Sequence, residues 1–421
     1  MSSLEKDKQL NNNEAFFIKA MITGISIVGF ISYTLILIVT TALVTQRNIE
    51  TNRLKTAKNH GYLEEINELM IEVAELYDRA YVNDIETDNV NLYVLNSLIA
   101  AYGDKYAVYL DKEDADTASM ELDGRLYGIG VHAYSNYNSD EDRYEPYISN
   151  VYEGSPAYKA GIQVGDIILK IDGDYLYYED ATFDGHISRL RGEKGEDVIV
   201  TIQREDETID FKITRDEFTI NTVRYDVIDN IGYIKIEEFT SNTDENFKIA
   251  FENIEKQEIN KFIFDVRNNR GGLKDSVVNI LDYLLPKGVI INELNHDGNV
   301  IDTDFSDEKY KEFESVTLIN SETASAAELF TQSLIDYNKT ETIGTNSFGK
   351  GTICSTYPLS NGGSLMLSTG KYLTISGIDL ESIGIKPDYE LELPDEKNDI
   401  YYKLSIHDDD LVLKAVDILS K

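Results

Sequence analysis

The apolar positions of this chain change character three times along its length. From Ala20 to Val44 they run uncharged for 25 residues. As a helix rising ~1.5 Å per residue this run covers roughly 37 Å, enough to cross a hydrocarbon core of about 30 Å. No small-x-small cleavage site follows it, so 20–44 reads as an uncleaved transmembrane anchor behind a short polar tail at 1–19. From Asn59 to Gly103 the spacing becomes three and four, with Leu63, Ile66, Leu69, Met70, Val73, Leu76 and Tyr77 on one helical face. From Gly124 to about Asp216, short alternating strands broken by turn residues predict a small β-rich module. Beyond it, strand-like runs (Tyr233 to Phe239, Phe262 to Val266, Thr317 to Ile319, Leu365 to Leu373) alternate with helical ones such as Asp275 to Leu285. The pattern predicts an α+β protein. Its parts are the tail 1–19, the transmembrane helix 20–44, a helical region 45–123, the β-rich module 124–216, a mixed α/β core 217–395 and a closing helix 396–421.

Charge and composition narrow the function. With 76 acidic against 39 basic residues the chain carries a formal charge of -37. That excess repels phosphate backbones, and no basic stripe interrupts it, so nucleic acid is not an expected partner. A lone cysteine, Cys354, permits neither an internal disulfide nor a cysteine-rich zinc cluster. The five histidines (His60, His132, His186, His296 and His407) lack metal-binding spacing, so no metal or other cofactor is expected. Their scatter also argues against a serine–histidine–aspartate triad. Lys6, Lys8 and Lys19 before the apolar run are balanced by Arg47, Arg53, Lys55 and Lys58 after it, so the positive-inside rule leaves orientation open.

Two short segments carry candidate chemistry. In Asn320-Ser321-Glu322-Thr323-Ala324-Ser325-Ala326-Ala327-Glu328, a β-branched run gives way to a small-residue turn and an amphipathic helix. A serine at such a turn projects its hydroxyl outward, near the positive end of the helix dipole. Alone it would be read as a helix cap. Twenty-five residues on, Ser347-Phe348-Gly349-Lys350-Gly351-Thr352 flanks a lysine with glycines. A desolvated lysine amine can act as the base that a serine nucleophile needs, provided burial lowers its pKa by several units from about 10.4.

Together these segments resemble the C-terminal processing peptidases, or tail-specific proteases, which use a serine–lysine dyad. Asp265-Val266-Arg267-Asn268-Asn269-Arg270-Gly271-Gly272-Leu273 is similar to the family's Asp-x-Arg-x-Asn-x-Gly-Gly segment. Gly384-Ile385-Lys386-Pro387-Asp388 is similar to its closing strand motif, and Asp410 to Leu419 to its last helix. Tyr127-Gly128-Ile129-Gly130-Val131, Gly154-Ser155-Pro156-Ala157 and Gly165-Asp166-Ile167-Ile168 resemble a PDZ domain. Such a module turns backbone N–H groups toward a terminal carboxylate and pairs an edge strand with the peptide. Gly128, Ile129, Gly130 and Val131 are therefore the expected peptide-binding residues. Arg191 matches an arginine of many such modules and is expected either to take part or to be a solvated turn residue.

The resemblance implies that Ser325 attacks a peptide carbonyl while Lys350 takes its proton. Ala326, with Gly271 or Gly272, would supply the oxyanion donors. It also implies a membrane-tethered, extracytoplasmic enzyme acting on protein C-terminal tails, able to form homodimers or higher oligomers. One departure stands out. Where the family has a glutamine orienting the lysine, this chain has Cys354, a weak donor and acceptor. Another group could hold the lysine, turnover could be slower, or the chain could be a catalytically silent PDZ scaffold. Reduced but real proteolysis is the expectation.

Overall fold

The computed structural model describes residues 61–138 apart from 86 and 88, 143–176, and 188–421 apart from 193, 399 and 402–403. The chain divides between Asn89 and Val90 into two compact units. In the first, helix Gly61–Ala80 carries the predicted three-and-four spacing and buries none of its residues. The helical region read from Asn59 to Gly103 is not continuous: Val90–Tyr102 is a separate helix in the second unit. Asn83 and Asp84 lie in the break, where their short polar side chains compete with helical backbone bonding.

Two expectations about fold class are corrected here. The transmembrane helix read at Ala20 to Val44 lies outside the described residues, and none of the helices searched among them is long and apolar enough to cross a membrane. The architecture is a mixed α/β fold with a separate β-rich module, not an α+β one. Its central sheet has the order Val223–Ile228, Ile231–Ile236, Lys261–Asp265, Glu314–Ile319, Thr340–Gly344, Tyr389–Glu390. The first pair is an antiparallel hairpin; every later pair is parallel. Parallel strands need helices on both faces, and their sequences read as unbroken apolar runs. Phe262, Ile263 and Phe264 are all fully buried. The two phenylalanines pack with Phe247, Phe251 and Phe330 of helices Thr243–Glu255 and Ala326–Asp336, with Phe251 stacked on Phe262 at 4.2 Å. Ile263 faces the opposite layer, where Leu411, Val412 and Ala415 of helix Asp410–Leu419 cover it.

That closing helix is also tied down by charge. Arg267 Nη2 donates to Asp265 (2.6 Å) and to Asp409 (2.8 Å), all three side chains being almost completely buried. Asp409 is the helix N-cap and accepts from Leu411 N at 2.9 Å. A second sheet holds Val108–Leu110, Ser364–Leu373, Gly288–Leu294 and Val300–Ser306, with Thr352–Pro358 paired to Ser364–Leu373.

The β-rich module has strands in the order Val131–Asn138, Arg143–Val151, Ile167–Ile171, Asp197–Arg204, Glu207–Thr214, with Asp174–Tyr175 alongside the third. Ile148, Ile168, Ile171, Val198, Val200 and Ile202 form its separate core. A ribbon of Arg125–Gly128 against Asp216–Thr219 carries the chain into and out of it.

Candidate active site

Three loops leave the carboxyl ends of adjacent parallel strands, the place where open α/β sheets build their sites. They follow Asp265, Ile319 and Gly344, and they are stitched together. Ala324 N donates to Asn269 O (2.9 Å), and Thr323 Oγ1 to Val266 O (2.9 Å). Phe348 N donates to Thr323 O (3.0 Å).

Ser325 sits at the head of helix Ala326–Asp336 with φ 55° and ψ -117°. A non-glycine residue rarely adopts such a conformation, and its strain persists only where the surroundings enforce it. They do so closely. A Cβ on Gly271 would lie 2.9 Å from Ser325 Cβ, and one on Gly272 would lie 2.2 Å from Phe239 O. Only glycines, at φ 107° and 129°, let this strip pass between Phe239 and the serine turn.

The predicted oxyanion donors are sorted by their bonding. Gly271 N–H is committed to Asn269 Oδ1 at 2.8 Å, while Asn269 is itself buried and donates to Ile236 O at 2.9 Å. Ala326 N–H and Gly272 N–H form no hydrogen bond among the described residues.

Glu328 joins the serine to the lysine. Its fully buried carboxylate accepts Ser325 N–H (3.0 Å) and Lys350 N–H (2.8 Å) on one oxygen, and Gly349 N–H (2.8 Å) and the Ser347 hydroxyl on the other. The two bonds to the shared oxygen cap the separation of the Ser325 and Lys350 nitrogens at 5.8 Å. Tyr372 makes a second bridge, its hydroxyl 2.9 Å from Ser325 O and 2.7 Å from Lys350 O. Burial, reinforced by Glu328 and Glu381, pushes that hydroxyl well above its usual range, so it stays a donor. Glu381 holds the far side of the lysine loop, taking Gly351 N–H (3.0 Å) and the Thr352 hydroxyl (2.8 Å).

Cys354 lies half-buried on strand Thr352–Pro358, opposite Ser368 and next to a bulge. Among the described residues its thiol forms no hydrogen bond. Gly128, Ile129, Gly130, Val131 and Arg191 line one pocket of about 230 Å³ with Tyr152, Leu190 and Phe218. Gly130 is required there, since a Cβ would lie 2.2 Å from Ser155 Cβ. Arg191 faces Glu121 across this pocket at 3.7 Å. Glu328, Glu381, Tyr372 and Asn269 are site residues that motif reading missed. Two of them left a signal: Glu328 in the Ser-x-x-Glu spacing of a capping box, and Asn269 as the asparagine of the Asp-x-Arg-x-Asn-x-Gly-Gly segment.

Residues 230–391 match the model of peptidase family S41, and residues 147–204 that of a PDZ domain. The carboxy-terminal-processing protease of Bartonella bacilliformis is 32% identical over 303 residues, covering 69% of this chain and 67% of that one. The chain belongs to this family of carboxy-terminal processing serine proteases. A CtpA-like serine protease of Staphylococcus saprophyticus is 26% identical over 396 residues, covering 93% of this chain and 76% of its own. A solved structure described as an S41 protease from Bacteroides fragilis shares the fold, with a TM-score of 0.59 at 20% identity over 82% of this chain and 94% of that one.

One acidic group of this S41 protease titrates in the neutral range. Glu238 precedes Phe239, whose main chain holds Gly271 O (2.9 Å) and Leu273 N (2.6 Å). Burial, with Glu121 and Glu237 nearby, pushes its carboxyl up from the ordinary 4.5 to about 7. The folded protein then binds this proton more tightly than the unfolded chain. The resulting stability is full below about pH 4.5 and lost as pH rises through 7. Glu238→Gln is expected to gain about 1–3 kcal/mol over wild type at pH 8 and nothing at pH 4.5. Denaturant unfolding at both values checks this; equal gains at both would show that charge is not the cause.

Proposed function

We propose that this protease captures the C-terminal tail of a protein substrate on the PDZ pocket and cleaves nearby with a Ser325–Lys350 dyad. The observation that carries the reading is the shared Glu328 oxygen, which fixes the serine turn and the lysine loop as one unit. In this reading Ser325 Oγ attacks the scissile carbonyl carbon. Lys350 Nζ takes the hydroxyl proton and returns it to the leaving amine as the C–N bond breaks, giving an acyl-enzyme. Water, deprotonated by the same amine, then releases the acyl product. The developing oxyanion falls to Ala326 N–H and Gly272 N–H, the two donors left uncommitted, while Gly271 serves the loop through Asn269. The silent-scaffold alternative is the weaker reading, because Glu328 and Tyr372 join the serine turn to the lysine loop through main-chain bonds that do not involve Cys354.

The test is an unstructured reporter with an apolar C-terminal tail, incubated with the full-length chain, its products identified by mass spectrometry. Wild type is expected to cleave within or near the tail, and to slow when the terminal carboxylate is amidated. Lys350→Ala is expected to lose roughly 10²–10⁴-fold in kcat without losing tail binding. Cleavage by Lys350→Ala at the wild-type rate would sink the dyad; indifference to amidation would sink the tail reading.

A further inference from the structure

The Lys350 amine lacks a hydrogen-bonded anchor: among the described residues Nζ donates to nothing, and the thiol at position 354 cannot hold it as an amide would. What it meets is an aromatic face. Nζ lies 4.7 Å from the centroid of the Tyr106 ring, inside the range over which an ammonium is attracted to a π-system.

That ring is held from several sides. The Tyr106 hydroxyl donates to Glu381 Oε1 at 3.0 Å, and the same carboxylate takes Gly351 N–H and the Thr352 hydroxyl from the loop that carries Lys350. The chain of contacts therefore closes on itself: lysine amine, tyrosine face, Glu381, lysine loop. Tyr106 N donates to Asp104 Oδ1 (3.0 Å), and Asp104 also takes Ser368 N and Oγ (both 2.8 Å), directly across the hairpin from Cys354. Lys105 Nζ also lies 4.7 Å from the ring and forms an ion pair of 2.7 Å with Glu381. Burial works against the charge on Glu381, but hydrogen bonds from Lys105, Thr352 and Tyr106 hold its carboxyl below the usual range.

We propose that Tyr106, held by Glu381, is the positioning residue for the Lys350 amine. The inference rests on the dyad reading above. In that reaction the amine gains a positive charge as the serine proton arrives, and the negative face of the ring meets that charge as it forms. It also restricts a four-carbon side chain that no hydrogen bond among the described residues orients.

The experiment varies the electron density of the ring with little change in its size. Phenylalanine and its mono-, di- and trifluoro forms are placed at position 106 of the full-length protein, with Tyr106→Leu for comparison. Each fluorine is expected to lower kcat stepwise, reaching roughly tenfold for the trifluoro form, with KM unchanged. Tyr106→Leu should fall at least as far. A flat kcat across the fluorinated series, with all variants folded by thermal unfolding, overturns the proposal, as does a series that moves KM alone. Failure of the dyad reading looks different: Lys350→Ala would then be as active as wild type, whatever stands at position 106.

Discussion

Ser325→Ala is expected to abolish cleavage, by about 10⁴-fold or more in kcat, while leaving stability within about 0.5 kcal/mol of wild type. The reason lies in how the turn is bonded. Its main chain holds the structure together, since Ser325 N–H goes to Glu328, and Ser325 O accepts from Glu328 N and Leu329 N, both at 2.9 Å. Glu328 N–H, the donor an N-cap hydroxyl would ordinarily take, lies 2.9 Å from the Ser325 carbonyl oxygen. A serine N-cap ordinarily has extended backbone and spends its oxygen on the first helical turn, and losing it costs about 1 kcal/mol. Ser325 at φ 55° and ψ -117° lacks that backbone. Ser325→Gly separates the two accounts further. Glycine enters this region without penalty, so it should raise stability by about 1 kcal/mol and be equally inactive. Both variants are read by thermal unfolding beside a peptide-cleavage assay. A loss of stability in either would return Ser325 to the role of a cap.

Ser325 and Lys350 are legible in the sequence because each sits in local chemistry that few other functions need: a small-residue strand-to-helix turn, and a lysine between glycines. The groups that pose them are not. Tyr106, Glu381 and Tyr372 act through partners 22 to 275 residues away in sequence, and such pairings leave no local period. The use of Tyr106 is visible only once Glu381 and Lys350 stand beside it. Gly271 and Gly272 look equivalent as donors in the sequence; the side chain of Asn269, two residues upstream of Gly271, separates them. The fold class departs from expectation for a simpler reason. Ile231 to Ile234 and Phe262 to Phe264 are continuous apolar runs, the signature of strands covered on both faces, and that signature outweighs the count of strands and helices.

Glu328→Gln tests the joint between the two halves of the site and should show the largest combined effect of any isosteric change here. A carboxylate is an acceptor at all of its sites, and this one receives four donors from Ser325, Ser347, Gly349 and Lys350. An amide keeps the shape but replaces one oxygen with two donors. Whichever way it turns, two of the four groups meet N–H instead of O in a fully buried place. Each orphaned donor costs about 1–3 kcal/mol, so a total loss of roughly 3–5 kcal/mol is expected. The easiest relief is for the lysine loop to move away from the serine helix. Displacements of about 1 Å in catalytic groups cost on the order of 10²-fold, so kcat should fall at least that far with little change in KM. Ser347→Ala is the graded control. It removes one donor and leaves three in place, but it also orphans Ile385 N–H, which donates to Ser347 Oγ at 2.6 Å, so it should lose about 2–3 kcal/mol with little activity lost. If Glu328→Gln matched wild type in unfolding temperature and turnover, the carboxylate would be incidental to the site. The case that Ser325 and Lys350 are held as one unit would then have to rest on Tyr372 and on the bond from Phe348 N to Thr323 O.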